Sequence, residues 1–136
     1  FTSLCSKLYT LGGGGGLKQE NGLTSTRTTN KILKFIYLIG TWAYYVDSDG
    51  TRTDGKVFSV GSGSIYAYGV LDKGYKEDLT DEEAYDLGRR SIYHATYRDA
   101  ASGGIVRVYH MTKDGFKVIS EEDCMDLHYK YAAEKV

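Results

Sequence analysis

The sequence predicts an α+β fold in which antiparallel sheets carry flanking helices. Three observations predict it. Short aromatic and β-branched runs are joined by tight Asp/Gly turns, three later segments carry helix caps and the longest of them helical spacing, and no long βαβ alternation of the parallel kind occurs. A chain of 136 residues allows one domain, and 41% apolar against 26% charged residues supplies a core and argues against wholesale disorder.

Taken in order, the elements follow from local chemistry. Lys31–Ile39 is the first stretch with the apolar density of a packed element, and its type is ambiguous. Ala43–Val46 reads as a strand, and Asp47-Ser48-Asp49-Gly50 as a hairpin turn in which Gly50 takes positive φ. A second turn at Asp54-Gly55 is expected to open a strand over Lys56–Val60. Gly61-Ser62-Gly63-Ser64 then breaks that strand, and Ser62 or Ser64 is expected to N-cap a helix reaching Lys73. Thr80-Asp81-Glu82-Glu83 is a capping box ahead of the longest periodic segment. Its apolar face, Ala84, Leu87, Gly88, Ser91, Ile92 and Ala95, is rich in small residues, which suggests a helix pressed closely against another. Ser102-Gly103-Gly104 ends this stretch as a glycine cap. Ile105–Met111 alternates as a half-buried strand should, Lys113-Asp114-Gly115 turns it into Phe116–Ile119, and Ser120 with Asp123 is expected to cap a last helix reaching Ala132.

Composition narrows the function classes. The net charge of −1 removes any whole-chain argument for nucleic acid or an anionic membrane as partner. The longest apolar run, Phe35–Ile39, is far short of a membrane span, and residue 1 onward lacks the order of a signal peptide. Cys5 and Cys124 form neither a disulfide framework nor a metal motif, so the expected setting is a reducing, intracellular one. The average conceals a seam. Residues 1–43 hold five basic residues and one acid, a net +4, whereas residues 44–136 hold 12 basic and 17 acidic residues, a net −5. The first part also carries the glycine run Gly12–Gly16 and a Ser/Thr/Asn-rich stretch over Asn21–Asn30, which read as flexible linker. The expected organisation is a flexible or unrelated segment over 1–43 and a folded unit over 44–136.

Most chemistry-bearing residues have plain structural readings. Gly61-Ser62-Gly63-Ser64 follows a strand and precedes a helix, yet Tyr66 stands where a phosphate-binding fingerprint needs its third glycine, and no Gly-Lys-Ser/Thr follows. His94, His110 and His128 fall on different elements without metal-ligand spacing. Cys124 has no His or second Cys near it in sequence, so it makes a poor nucleophile. The acids Asp81, Glu82 and Glu83 complement a helix N-terminus. Arg98-Asp99 ahead of Ser102-Gly103-Gly104 is more than a helix end requires.

From Tyr44 to Tyr131 a series of words resembles the C-terminal part of a proteasome 20S core β subunit, most of all the chymotrypsin-like type-5 kind. They are Tyr44-Tyr-Val-Asp-Ser-Asp-Gly50, Phe58-Ser-Val-Gly-Ser-Gly-Ser64, Tyr66-Ala-Tyr-Gly69, Glu83-Ala-Tyr-Asp-Leu-Gly-Arg-Arg90, Ala95-Thr-Tyr-Arg-Asp-Ala100, Ser102-Gly-Gly104, Tyr109-His-Met111 and Asp114-Gly115, in the family's order. The resemblance implies the C-terminal half of the four-layer αββα sandwich of N-terminal-nucleophile hydrolases. It implies a threonine-type endopeptidase cleaving after large apolar residues in ubiquitin-dependent degradation, in cytoplasm and nucleus. The partners implied are other α and β subunits in stacked heptameric rings and an unfolded polypeptide substrate, with no nucleic acid and no membrane. In that family a terminal threonine hydroxyl is the nucleophile and its own α-amine the base. A Ser, an Asp and a second Ser support the amine, and they fall on Ser62, Asp99 and Ser102. No cofactor is required, although loop carbonyls of Thr96, Asp99 and Ser102 could hold a structural Mg²⁺ or monovalent cation.

The nucleophilic half of that site has no counterpart in residues 1–43. Counting by the family's spacing from Thr24, Thr28, Thr29 and Thr41 reaches Gly40 and Lys56, Tyr44 and Val60, Tyr45 and Gly61, and Val57 and Lys73, so none of these candidates supplies both the Asp and the Lys. The expectation is a truncated or mispredicted product that is inactive alone. The alternatives are a non-catalytic component of the β ring and an unrelated small binding module.

Overall fold

The structure, a computed structural model, describes residues 9–12, 16–20, 23–27, 35–39, 42–112 and 115–134. Along the chain run β1 (Tyr9–Gly12), β2 (Gly16–Glu20), β3 (Leu23–Arg27), β4 (Phe35–Ile39), β5 (Trp42–Val46), β6 (Arg52–Gly55), α1 (Ser64–Gly74), α2 (Asp81–Arg98), β7 (Ile105–Thr112), β8 (Gly115–Asp123) and α3 (Cys124–Ala133). All strand pairs are antiparallel, in the orders β1-β7-β8, β2-β3 and β4-β5-β6. Helices with antiparallel sheets are therefore what the sequence predicts and what the chain forms. Of the glycine run, residues 13–15 lie outside the described residues, as do 31–34 of the ambiguous stretch, whose remainder is β4.

The β5–β6 hairpin turns where expected. Gly50 has φ 82°, its N–H donates to the Asp47 carbonyl (3.2 Å), and Asp47 Oδ1 accepts from the N–H of Asp49 and of Thr51, each at 2.9 Å. Asp54-Gly55 is not a second turn, however, and Lys56–Val60 is not a strand. Gly55 closes β6, and the segment after it has no ladder partner among the described residues because Phe58 folds back. Its ring lies so close to Gly55 that a Cβ there would stand 2.8 Å from Phe58 Cζ, and it packs on Tyr45 with centroids 6.0 Å apart.

Helix α2 organises the rest. Thr80 accepts from the Glu83 N–H (3.3 Å) while the Glu83 carboxylate accepts from the Thr80 N–H (2.8 Å), the reciprocal box the sequence predicts. Ala84, Gly88, Ser91 and Ala95 are buried as expected, joined by Tyr85 and Tyr93. The small face lets α1 approach: Ala67 is buried against it, and Leu87 fills the space where Gly74 has no side chain. On its other sides α2 contacts β1, β7 and α3. Tyr93, Val106, Leu127 and Tyr131 form the core there, with Ile92 and Cys124 against it.

Three expected caps differ. Helix α1 starts at an N-cap Gly63 with no side-chain bond, since Ser62 donates elsewhere. Helix α2 ends on Asp99 in extended conformation (φ −94°, ψ 112°) rather than on a glycine; the left-handed glycine is Gly104, whose carbonyl accepts the Cys124 N–H at 3.1 Å and ties β7 to α3. Asp123 alone caps α3, accepting from the Met125 N–H at 2.7 Å. Ser120 belongs to β8 and accepts from Arg89 Nη2 at 3.2 Å. Of the expected turn after β7, Lys113 and Asp114 lie outside the described residues.

Candidate functional site: two hydroxyls on one carboxylate

The turn between the Phe58 segment and α1 meets the C-terminal end of α2. Gly61 supplies the backbone reversal with φ 116°, a conformation other residues rarely adopt. Ser62 is thereby carried over Asp99, 37 positions away in sequence, and Ser62 Oγ donates to Asp99 Oδ2 at 2.5 Å. The chain after α2 closes a turn in which the Ser102 N–H donates to the Asp99 carbonyl at 3.0 Å. That turn places Ser102 Oγ 2.6 Å from the same Oδ2, while Asp99 Oδ1 accepts the Ala101 N–H at 3.2 Å. The structure thus brings Ser62, Asp99 and Ser102 into one cluster.

Its electrostatics are set by those donors. Asp99 stands at the C-cap of α2, where the negative end of the helix dipole disfavours a carboxylate. The Ser102 hydroxyl first and the Ser62 hydroxyl next nevertheless hold its carboxyl below the usual range, with the Ala101 N–H adding to them. Each hydroxyl spends its proton on the carboxylate, which leaves its oxygen lone pairs as acceptors, polarised by the charge behind them. Such a trio suits an N–H donor, above all an amine that gains a proton.

Thr96 lies in the last turn of α2, half-buried, and is not part of this hydrogen-bond cluster. Of the three carbonyls expected to hold a structural cation, that of Thr96 lies at the negative end of the helix, that of Asp99 already accepts the Ser102 N–H at 3.0 Å, and that of Ser102 lies beyond the helix; all three are backbone oxygens, the donor type a hard cation takes. The described residues contain no group of three His, Cys, Asp or Glu side chains able to hold a metal. The histidines serve structure: His110 Nδ1 pairs with the Tyr85 hydroxyl at 2.5 Å and His128 Nδ1 with that of Tyr93 at 2.9 Å. Burial pushes the Cys124 thiol up, against a nucleophilic role.

Beside Ser62 opens a cleft of ≈ 480 Å³, lined by Tyr45, Phe58, Ser59, Val60, Gly61, Ser62, Ser64 and Tyr68. Sequence reasoning did not connect Tyr45, Phe58 and Tyr68 with the serine, because it placed Phe58 in a strand. The signal available was Gly55, whose missing side chain makes room for that ring.

The chain that brings Ser62 and Ser102 onto Asp99 matches a known family in sequence. Residues 39–111 fit the family described as proteasome subunit, and the chain belongs to that family. Over 92 residues it is 64% identical to proteasome subunit beta type-5 of Dictyostelium discoideum and 63% identical to proteasome subunit beta type-5 of Spinacia oleracea, covering 68% of this chain and 34% of each relative. It is 56% identical over 92 residues to proteasome subunit beta type-8 of Rattus norvegicus, covering 68% of this chain and 33% of that protein. The chain thus spans about a third of the length of these curated relatives. Family membership sets aside the unrelated binding module.

Proposed function

We propose that this chain carries the amine-supporting half of a threonine-type peptidase site in a proteasome core β subunit of the type-5 kind, built on the four-layer αββα sandwich. One observation carries the reading: both hydroxyls, Ser62 and Ser102, donate to a single oxygen of Asp99 at 2.5 and 2.6 Å. Against that surface the α-amine of a terminal threonine would be held in register, and its protonated form stabilised, while it takes the proton of the attacking hydroxyl. The names of the relatives support the assignment to a β subunit. In this reading it works with other α and β subunits on unfolded polypeptide, in cytoplasm and nucleus.

In this reading the chain is inactive alone, because no threonine of residues 1–43 has the Asp and Lys that would activate it. The purified chain is expected to leave a fluorogenic peptide with a large apolar residue before the scissile bond intact. Turnover blocked by a threonine-directed epoxyketone would overturn that claim. A tagged chain expressed with the other subunits is expected to co-migrate with a high-mass particle, and failure to do so counts against the β-subunit assignment.

A further inference from the structure

Gly63 contributes no side-chain atom to the cluster, yet the cluster closes around it. It is buried, and its backbone (φ −83°, ψ 4°) has the dihedral angles of the third residue of a type I turn, which residues with a side chain also adopt. Glycine is therefore not required at 63 for its dihedral angles, in contrast to Gly61. What is tight is space. A Cβ on Gly63 would stand 3.2 Å from Ala95 Cβ, 3.3 Å from Asp99 Oδ2 and 3.4 Å from Asp99 Cβ. Ala95 is buried on α2 and has no rotamer with which to give way. The yielding partner is Asp99, and Oδ2 is the oxygen that both hydroxyls address.

We infer that Gly63 is a positioning residue of this site: its absent side chain lets Asp99 Oδ2 sit under Ser62 and Ser102 at once. A β-carbon at 63 displaces the carboxylate by a few tenths of an ångström, enough to lengthen at least one of two short, charge-assisted bonds. The reading rests on the proposed role of the trio, and Gly63 acts only through Asp99.

The test is the carboxyl ¹³C NMR shift of Asp99 at one fixed neutral pH in the full chain with labelled aspartate, the signal being assigned by its loss in Asp99→Asn. Ser62→Ala and Ser102→Ala test the site itself: each removes a hydrogen bond to the carboxylate and is expected to move the Asp99 signal, and if neither does, the trio is not the unit proposed. Gly63→Ala tests the inference, with the signal expected to move in the same direction as in Ser62→Ala. Gly69→Ala, with open space around it, is expected to leave the signal unchanged. A folded Gly63→Ala protein with the wild-type Asp99 signal overturns the inference and leaves the site reading intact. Should Gly63→Ala fail to fold, Gly63→Ala/Ala95→Gly relieves the helix contact and is expected to fold with the displaced signal. A wild-type signal in that double variant, or its failure to fold while Ala95→Gly alone folds, also overturns the inference.

Discussion

Alanine at position 50 and alanine at position 69 are expected to change stability in opposite directions, although both glycines face open space. Gly50 holds φ 82° in the β5–β6 turn, so Gly50→Ala forces a left-handed alanine and should cost about 1–2 kcal/mol. Gly69 lies in the interior of α1 without positive φ, so Gly69→Ala should stabilise by about 0.5–1 kcal/mol through the lower entropy of the unfolded chain. Urea denaturation of the two variants reads both signs, and equal signs would refute this account. At this scale the site was legible in the sequence through Ser62, Asp99 and Ser102, because their neighbouring words resemble a family. Gly63 was not, since a sequence displays glycines without displaying whether a turn needs their φ or their lack of volume.

Each helix start makes a separate energetic statement. Thr80→Ala removes the Thr80 half of the reciprocal box on α2 and should destabilise by about 1 kcal/mol, visible as a lower urea midpoint with an unchanged slope. Leu127→Ala should cost more, about 2–5 kcal/mol, because Leu127 is fully buried between α3 and the core residues Tyr93, Val106 and Tyr131. If Leu127→Ala proved the milder change, the core would not lie where the structure has it. The elements that could be read from the sequence were those whose signal is local. The box at Thr80, the Asp47 turn and the strand over Ile105–Met111 each carry their own cause within a few residues. The elements misread were decided at a distance: Phe58 leaves the expected strand to reach Tyr45, Ser62 leaves the cap of α1 for Asp99, and Ser120 leaves the cap of α3 for Arg89.

At the scale of the molecule, burial of tyrosine ties stability to alkaline pH. The Tyr131 hydroxyl is buried beside the Arg89 guanidinium with no well-formed hydrogen bond among the described residues, and Arg90 lies over its ring at 4.2 Å. Burial first and the nearby Asp86 carboxylate second push its phenol up from 10.0 to about 12. The folded state therefore keeps a proton that the unfolded chain releases sooner. This contribution is complete below pH 10.0 and is lost as pH rises toward about 12. Thermal midpoints should fall across that window, and Tyr131→Phe should flatten the fall; an equal decline in both proteins would refute the linkage. A different constraint comes from the pairing of β7 with β8, where Val108 faces Ser120 but Tyr109 faces Val118, so that Ile119 is passed over. The skipped residue reverses the parity of β8. Below it, Ser120 and Glu122 reach Arg89 on α2; beyond it, Phe116 turns to the opposite face and meets Tyr109 edge-on at 5.7 Å. The register depends on the extra residue rather than on its side chain, so deleting Ile119 is expected to lower the thermal midpoint far more than Ile119→Ala does. For this part of the chain, heredity has more to guard in the number of its codons than in the meaning of that one.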